Sequence, residues 1–191
     1  MNVGNSLAYI AYISPTQINV VAPEVAAGSA AVTVTNSGVP SSPVNAVVQT
    51  AQPAFFQWGS YVVATTLDYS LAIKNGTFPG ATSPAKAGQV IILWGTGFGP
   101  TSPSAPMGVE VPTTTTYNTA NMVTVTVGGQ SAMVYGAALA PGYAGLYQVA
   151  IQIPASLGNL SCPPAPRSHA LVSALTGWPT ERMCPLCRHD R

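Results

Sequence analysis

The side chains equipped for chemistry are few, and the densest group stands near one end. Cys184-Pro-Leu-Cys187 with His189 places two thiols at the spacing that suits a tetrahedral zinc site. Cys162 and His169 would have to complete it, and their spacing is not a usual partner pattern. A disulfide that leaves one cysteine over is the competing use in an exported chain. Cys184, Cys187 and His189 are therefore weak metal candidates, and no cofactor is expected. Acid–base chemistry has still less material. Residues 1–160 hold no His or Cys and only Glu24, Asp68, Lys74, Lys86 and Glu110 as charged side chains. Asp68 and Glu110 are the pair that could serve as glycosidase carboxylates, yet each sits in a connector or loop, where lone acids are usually solvated. A nucleophile needs a base beside it, and calcium needs clustered oxygens. No catalytic residue is assigned, and the expectation is a chain that is not an enzyme.

Aromatic side chains offer a different chemistry, stacking against sugar rings. Trp58, Tyr61, Trp94, Tyr117, Tyr143 and Tyr147 are the material for it. Trp94 and Tyr147 lie within strand patterns and read as core. Tyr117, on a long loop, and Tyr143, beside Pro141-Gly142, read as the exposed ligand candidates.

The elements that must position these residues centre on one stretch, Gly88 to Thr101. Val90-Ile-Ile-Leu-Trp94 is too short for an ordinary helix and has the composition of a strand buried on both faces. Gly95-Thr-Gly-Phe-Gly-Pro100 then stops the strand in an irregular turn. Phe98 between glycines predicts a plug folded back over the end of a core. A phosphate-cradling loop would need a helix to follow, and Pro100, Pro103 and Pro106 deny it one.

The rest of the chain reads as short strands. Of its 191 residues 47% are hydrophobic and 6% charged, with 18 Gly and 18 Pro, an apolar content that disordered chains avoid. Strands are expected at 7–13, 17–21, 31–35, 44–49, 122–127, 132–135 and 145–153, and a weaker pair at 61–67 and 69–73, with turns at Asn36-Ser-Gly38 and Gly128-Gly129. A net charge of +1 gives no footprint for nucleic acid. No apolar run approaches the ~20 residues of a membrane span. Met1 to Leu7 is not a signal peptide, so export would need a signal further upstream.

Val3 to Ile10 aligns with Val127 to Val134, and Gln17 to Val20 with Pro23 aligns with Gln148 to Ile151 with Pro154. Such self-similarity predicts two copies of one strand unit. The first copy lacks any strand of the Gly-x-Gly-Phe kind, and the second lacks counterparts of 31–35 and 44–49. The expected division is 1–52 as the first unit, 53–86 as an ordered bridge, 87–160 as the second unit and 161–191 as an atypical, dispensable tail. The tail carries all three cysteines and both histidines.

The motif Gly95, Gly97, Phe98, Gly99, Pro100, taken with Ser14 to Asn19 and with Pro141 to Tyr147 and Gln148, resembles the IPT/TIG-type immunoglobulin-like domains. Specifically, it is similar to an uncharacterised tandem domain that closes large secreted or surface proteins of soil bacteria of the acidobacterial type. That resemblance covers about residues 1–159 and implies an all-β, immunoglobulin-like β-sandwich in an extracellular or cell-surface setting. It implies no catalytic residues. Two roles are expected of such a chain: a structural or adhesive module contacting neighbouring domains or surface polymers, or a carbohydrate-binding appendage of a polysaccharide-active enzyme. The incomplete copies are expected to complete one another within the chain, with a strand-complemented dimer as the alternative.

Overall fold

A computed structural model describes residues 1–107, 109–159 and 171–174. The first fifty residues form β1 (Asn2–Val3), β2 (Ser6–Leu7), β3 (Tyr9–Ile13), β4 (Ile18–Val21), β5 (Gly28–Thr33), β6 (Thr35–Asn36), β7 (Val39–Pro40) and β8 (Val44–Val48). The next segment gives β9 (Ala54–Phe55), β10 (Gln57–Trp58), β11 (Tyr61–Val62) and β12 (Ala64–Thr65). Then come β13 (Val90–Thr96), β14 (Thr101–Ser102), β15 (Asn118–Thr119), β16 (Val123–Val127), β17 (Gln130–Leu139), β18 (Tyr147–Gln152) and β19 (Leu171–Ala174). The fold is all-β: a single 3-10 turn, Ala155–Asn159, interrupts the strands among the described residues.

Residues 53–159 hold the core. β13 pairs with β18 along six positions, from Val90 opposite Gln152 to Gly95 opposite Tyr147. Its other edge takes β12 and β9. Of the strands of the 53–86 segment, β9 and β12 join the main sheet, while β10 and β11 pair with each other. The sheet continues through β17, β15 and β14. β17 turns from one layer to the other: its first residues pair with β16, and from Met133 onward it pairs with β18. A bulge between Val134 and Gly136 lets it bend. Val123, Val125 and Val127 of β16 then face Ile91, Leu93, Val149 and Ile151 of the main sheet in one apolar cluster. That is a β-sandwich. Each fully buried aliphatic side chain contributes about 1.5–3 kcal/mol.

Three expectations are corrected here. The run Val90 to Trp94 is not buried on both faces: Ile91 and Leu93 are buried, while Val90, Ile92 and Trp94 are half-buried. Alternation prevails because helices or a third layer would be needed to cover the outer face. The 161–191 tail contributes a strand, since β19 pairs with β16 from Thr126 opposite Leu171 to Val123 opposite Ala174. The remainder of that tail lies outside the described residues. The weak strand pair at 61–73 shrinks to β11 and β12, with Leu71 making isolated bridges.

Residues 1–52 are built differently. β2, β1, β5 and β8 form a four-stranded sheet, while β3 with β4 and β6 with β7 are separate two-stranded ribbons. Among the described residues only Val3 and Ala30 of this unit are buried. Among the described residues no ladder joins these strands to those of 87–159, so no strand pairing between the two units is seen there. They meet at side chains and turns instead. A Cβ on Gly145 would touch Val21 at 3.1 Å, and the Gln52 N–H donates to the Gly97 carbonyl at 2.8 Å.

Candidate functional site

The glycine motif is built as a lock on the preceding chain. Gly95 has no room for a side chain, because a Cβ there would meet the Ala54 carbonyl and the rings of Phe55 and Phe98. Gly97 stands at φ +77, and its Cβ would collide with the Gln52 carbonyl. Residues 50–55 therefore lie directly against the turn, on the surface that an anion would need. Phe98 is the expected plug, 1% exposed, with ring centroids 5.7 Å from Phe55 and 5.4 Å from Tyr147. The Tyr147 hydroxyl donates to the Gly99 carbonyl, which fixes the turn to β18. Burial raises the Tyr147 hydroxyl above its ordinary pKa of 10.0. Gln148 sits opposite Trp94 in the ladder, and the Trp94 indole N–H donates to the Thr65 hydroxyl at 3.0 Å. Pro100 follows the turn, its carbonyl accepting from Ala120 at 2.8 Å.

Asp68 is employed locally. Asp68 accepts from the Thr66 hydroxyl, from the Ser70 hydroxyl at 3.2 Å and from the Ser70 N–H at 3.4 Å. The Thr66 bond, and after it the Ser70 backbone bond, hold its carboxyl below the usual range. An ionised carboxylate closing its own turn is a poor proton donor. Glu110 is exposed in the loop between β14 and β15. Cys184, Cys187 and His189, with Cys162 and His169, lie outside the described residues.

The two ligand candidates part company. Tyr143 is exposed, at 60%. Tyr117 is not: it is 9% exposed and belongs to the core cluster. The long loop folds back over the sandwich, Val111 buried beside it, and the Leu139 N–H donates to the Tyr117 carbonyl at 2.9 Å. Gly142 N–H bonds the Val111 carbonyl at 2.8 Å, so the loop and the 141–143 turn are stitched together while the Tyr143 ring stays exposed.

Sequence reasoning missed a partner for Trp58. Its indole stacks on Phe78 at 4.2 Å and 14°, with Tyr61 edge-on to Phe78 at 6.0 Å. Trp58 is half in solvent, at 49%, with Phe78 bracing its ring. Nothing in the spacing of 58 and 78 signals this contact, because an irregular segment brings Phe78 back. A second feature is an open groove of about 890 Å³ between the 118–126 chain and β17, with Asn118, Asn121, Thr124 and Tyr135 among its walls. Among the described residues no charged side chain lines it.

Among the described residues no three of His, Cys, Asp or Glu gather in one place, and no helix is long and apolar enough to cross a membrane. Comparison with protein-family models, with curated proteins and with solved structures finds no match to this chain.

Proposed function

We propose that this chain acts by surface contact: a non-catalytic, immunoglobulin-like β-sandwich module of the IPT/TIG kind, with a structural or adhesive role in a larger exported protein at the cell surface or outside it. Its partners are neighbouring domains and surface polymers, not nucleic acid. The observation that carries this reading is the apolar surface that residues 1–52 turn to solvent. Leu7 is 79% and Val47 74% exposed, and Val39, Val44 and Ile13 are exposed as well, on a unit whose sole charged side chain is Glu24. Exposed apolar surface of this extent marks contact sites. We read the two halves as copies of one unit, a reading supported by the alignment of Val3–Ile10 with Val127–Val134. The test sets the full chain against chromogenic esters and glycosides, and in parallel against insoluble polysaccharides and cell-wall fractions. Retention on a polymer without turnover is expected. Turnover that disappears in Asp68→Asn or Glu110→Gln contradicts the proposal.

A second reading, a carbohydrate-binding appendage, is favoured by the braced Trp58 ring and by the exposed Tyr143. Sugar rings stack on exposed aromatic rings of this kind. Glycan-array signal lost in both Trp58→Ala and Tyr143→Ala, with the thermal transition kept, selects this reading. Signal indifferent to both removes it.

A further inference from the structure

Strand β17 leaves a gap in the sheet. Its first residues pair with β16, from Val127 opposite Gln130 to Val125 opposite Ala132. Near its end it meets β15, where Asn118 stands opposite Ala138. Between those neighbours, from Met133 to Ala137, β17 has β18 on one edge and no strand on the other among the described residues. The groove of about 890 Å³ opens there, with the chain from Asn118 to Thr126 as its facing wall. β19 does not close it, because β19 takes the opposite edge of β16. Both walls belong to one continuous stretch, 118–137, so the opening is set by that stretch itself.

The lining has the make-up of a ligand groove. Val125 is buried and Val134 half-buried, while Asn118, Asn121, Ser131 and Tyr135 bring amide and hydroxyl groups to the same walls. Apolar walls with a few polar groups, in a space of roughly 300–1,000 Å³, are typical of small-molecule sites. Tyr135 is the residue that the bulge between Val134 and Gly136 inserts into β17, and bulges re-aim side chains in this way. Its ring is exposed. Its hydroxyl donates at 3.4 Å to Gln152 Oε1, and Gln152 Nε2 donates to the Gly88 carbonyl at 2.9 Å. The two bonds in series limit how far the ring can turn.

We propose that this groove binds a neutral polysaccharide chain, with Tyr135 as the stacking surface and the asparagine amides as partners of the sugar hydroxyls. Residues 87–159 carry one charged side chain, Glu110, and no histidine, and Glu110 is not among the walls. A uronate, phosphate or amine would therefore enter without a counter-charge, which costs free energy as water is removed. A sugar ring has an apolar C–H face and a rim of hydroxyls, which match an aromatic ring and amides in one groove. A peptide strand fits less well, because the bulge breaks the regular ladder that it would have to follow. The inference rests on the reading of this chain as a module that contacts surface polymers, and it names the polymer class and where that polymer binds.

The probes are cellohexaose, xylohexaose and mannohexaose, with a galacturonate oligomer as the charged control. Each is titrated into the isotope-labelled full chain and followed by amide shifts. At least one neutral probe is expected to move the backbone amides of 118–124 and 133–137 and the side-chain amides of Asn118 and Asn121, leaving β5 and β8 still. Tyr135→Ala is expected to weaken that binding roughly three- to tenfold. Asn121→Ala is expected to weaken it as well and Tyr135→Phe to keep it, each with the thermal transition retained. Silence from every neutral probe overturns the proposal, as do shifts confined to the surroundings of Trp58 or Tyr143. Tighter binding of the galacturonate, or affinity indifferent to both Tyr135→Ala and Asn121→Ala, overturns it too. Retention on insoluble polysaccharide that persists in Tyr135→Ala removes the groove alone and leaves the contact reading standing, whereas a parent chain retained by no polymer removes both.

Discussion

At the scale of single residues, stability concentrates where the glycine motif meets β18. Phe98 fills the end of the sandwich between Phe55 and Tyr147, and Phe98→Ala is expected to cost about 3–5 kcal/mol. Chemical denaturation measures it, and a loss under about 1 kcal/mol would mean the site refills or the plug is ornamental. Gly97→Ala is expected to be at least as damaging as its left-handed φ alone implies, about 1–3 kcal/mol, because the Gln52 carbonyl occupies the space. Tyr147 adds a pH dependence. Burial raises its pKa in the folded chain above 10.0, so the native state holds the proton more tightly than the unfolded state. Its contribution is complete below about pH 10 and declines as pH rises past that value toward the folded pKa. Tyr147→Phe is expected to lose about 0.5–1.5 kcal/mol with its bond to Gly99 and to flatten the alkaline decline. An unchanged alkaline limb in the variant would place the titrating group elsewhere.

At the scale of elements, the strands of strict period two were legible, and the irregular segments were not. Met122 to Val127, Gly128-Gly129 and Gly145 to Ile153 announce strand, turn and strand, and β16, β17 and β18 follow. Phe98 was readable as a plug because a large apolar residue in a glycine turn has little else to do. Tyr117 was misplaced because a Pro- and Thr-rich loop carries no period, and nothing local says that it folds back over Val111 and Leu139. The doubly buried reading of β13 failed for the opposite reason: an apolar run gives composition but not what covers the outer face. β19 is not legible in the sequence because Leu171-Val-Ser-Ala174 is too short a run to show a period and stands in a tail dense in cysteine and charge. Since β19 supplies four cross-strand pairs to β16, a chain ending at Asn159 is expected to be less stable by about 1–4 kcal/mol. Calorimetry of the shortened chain checks this, and an unaltered transition would show that β16 needs no neighbour.

At the scale of the whole molecule, the chain divides its labour. Residues 53–159 bury nearly every side chain of the core, while 1–52 bury Val3 and Ala30 and turn valines, leucine and isoleucines outward. One half holds the core, and the other exposes apolar side chains. That asymmetry is the central claim, and native-state hydrogen exchange of the full chain tests it most directly. Amides of β13, β17 and β18 are expected to exchange only through global unfolding, and those of β3, β4, β5 and β8 through local openings of much lower free energy. Equal protection in both halves would contradict the account, because it would mean that the apolar face of residues 1–52 is covered in the free protein and is not a surface offered to partners.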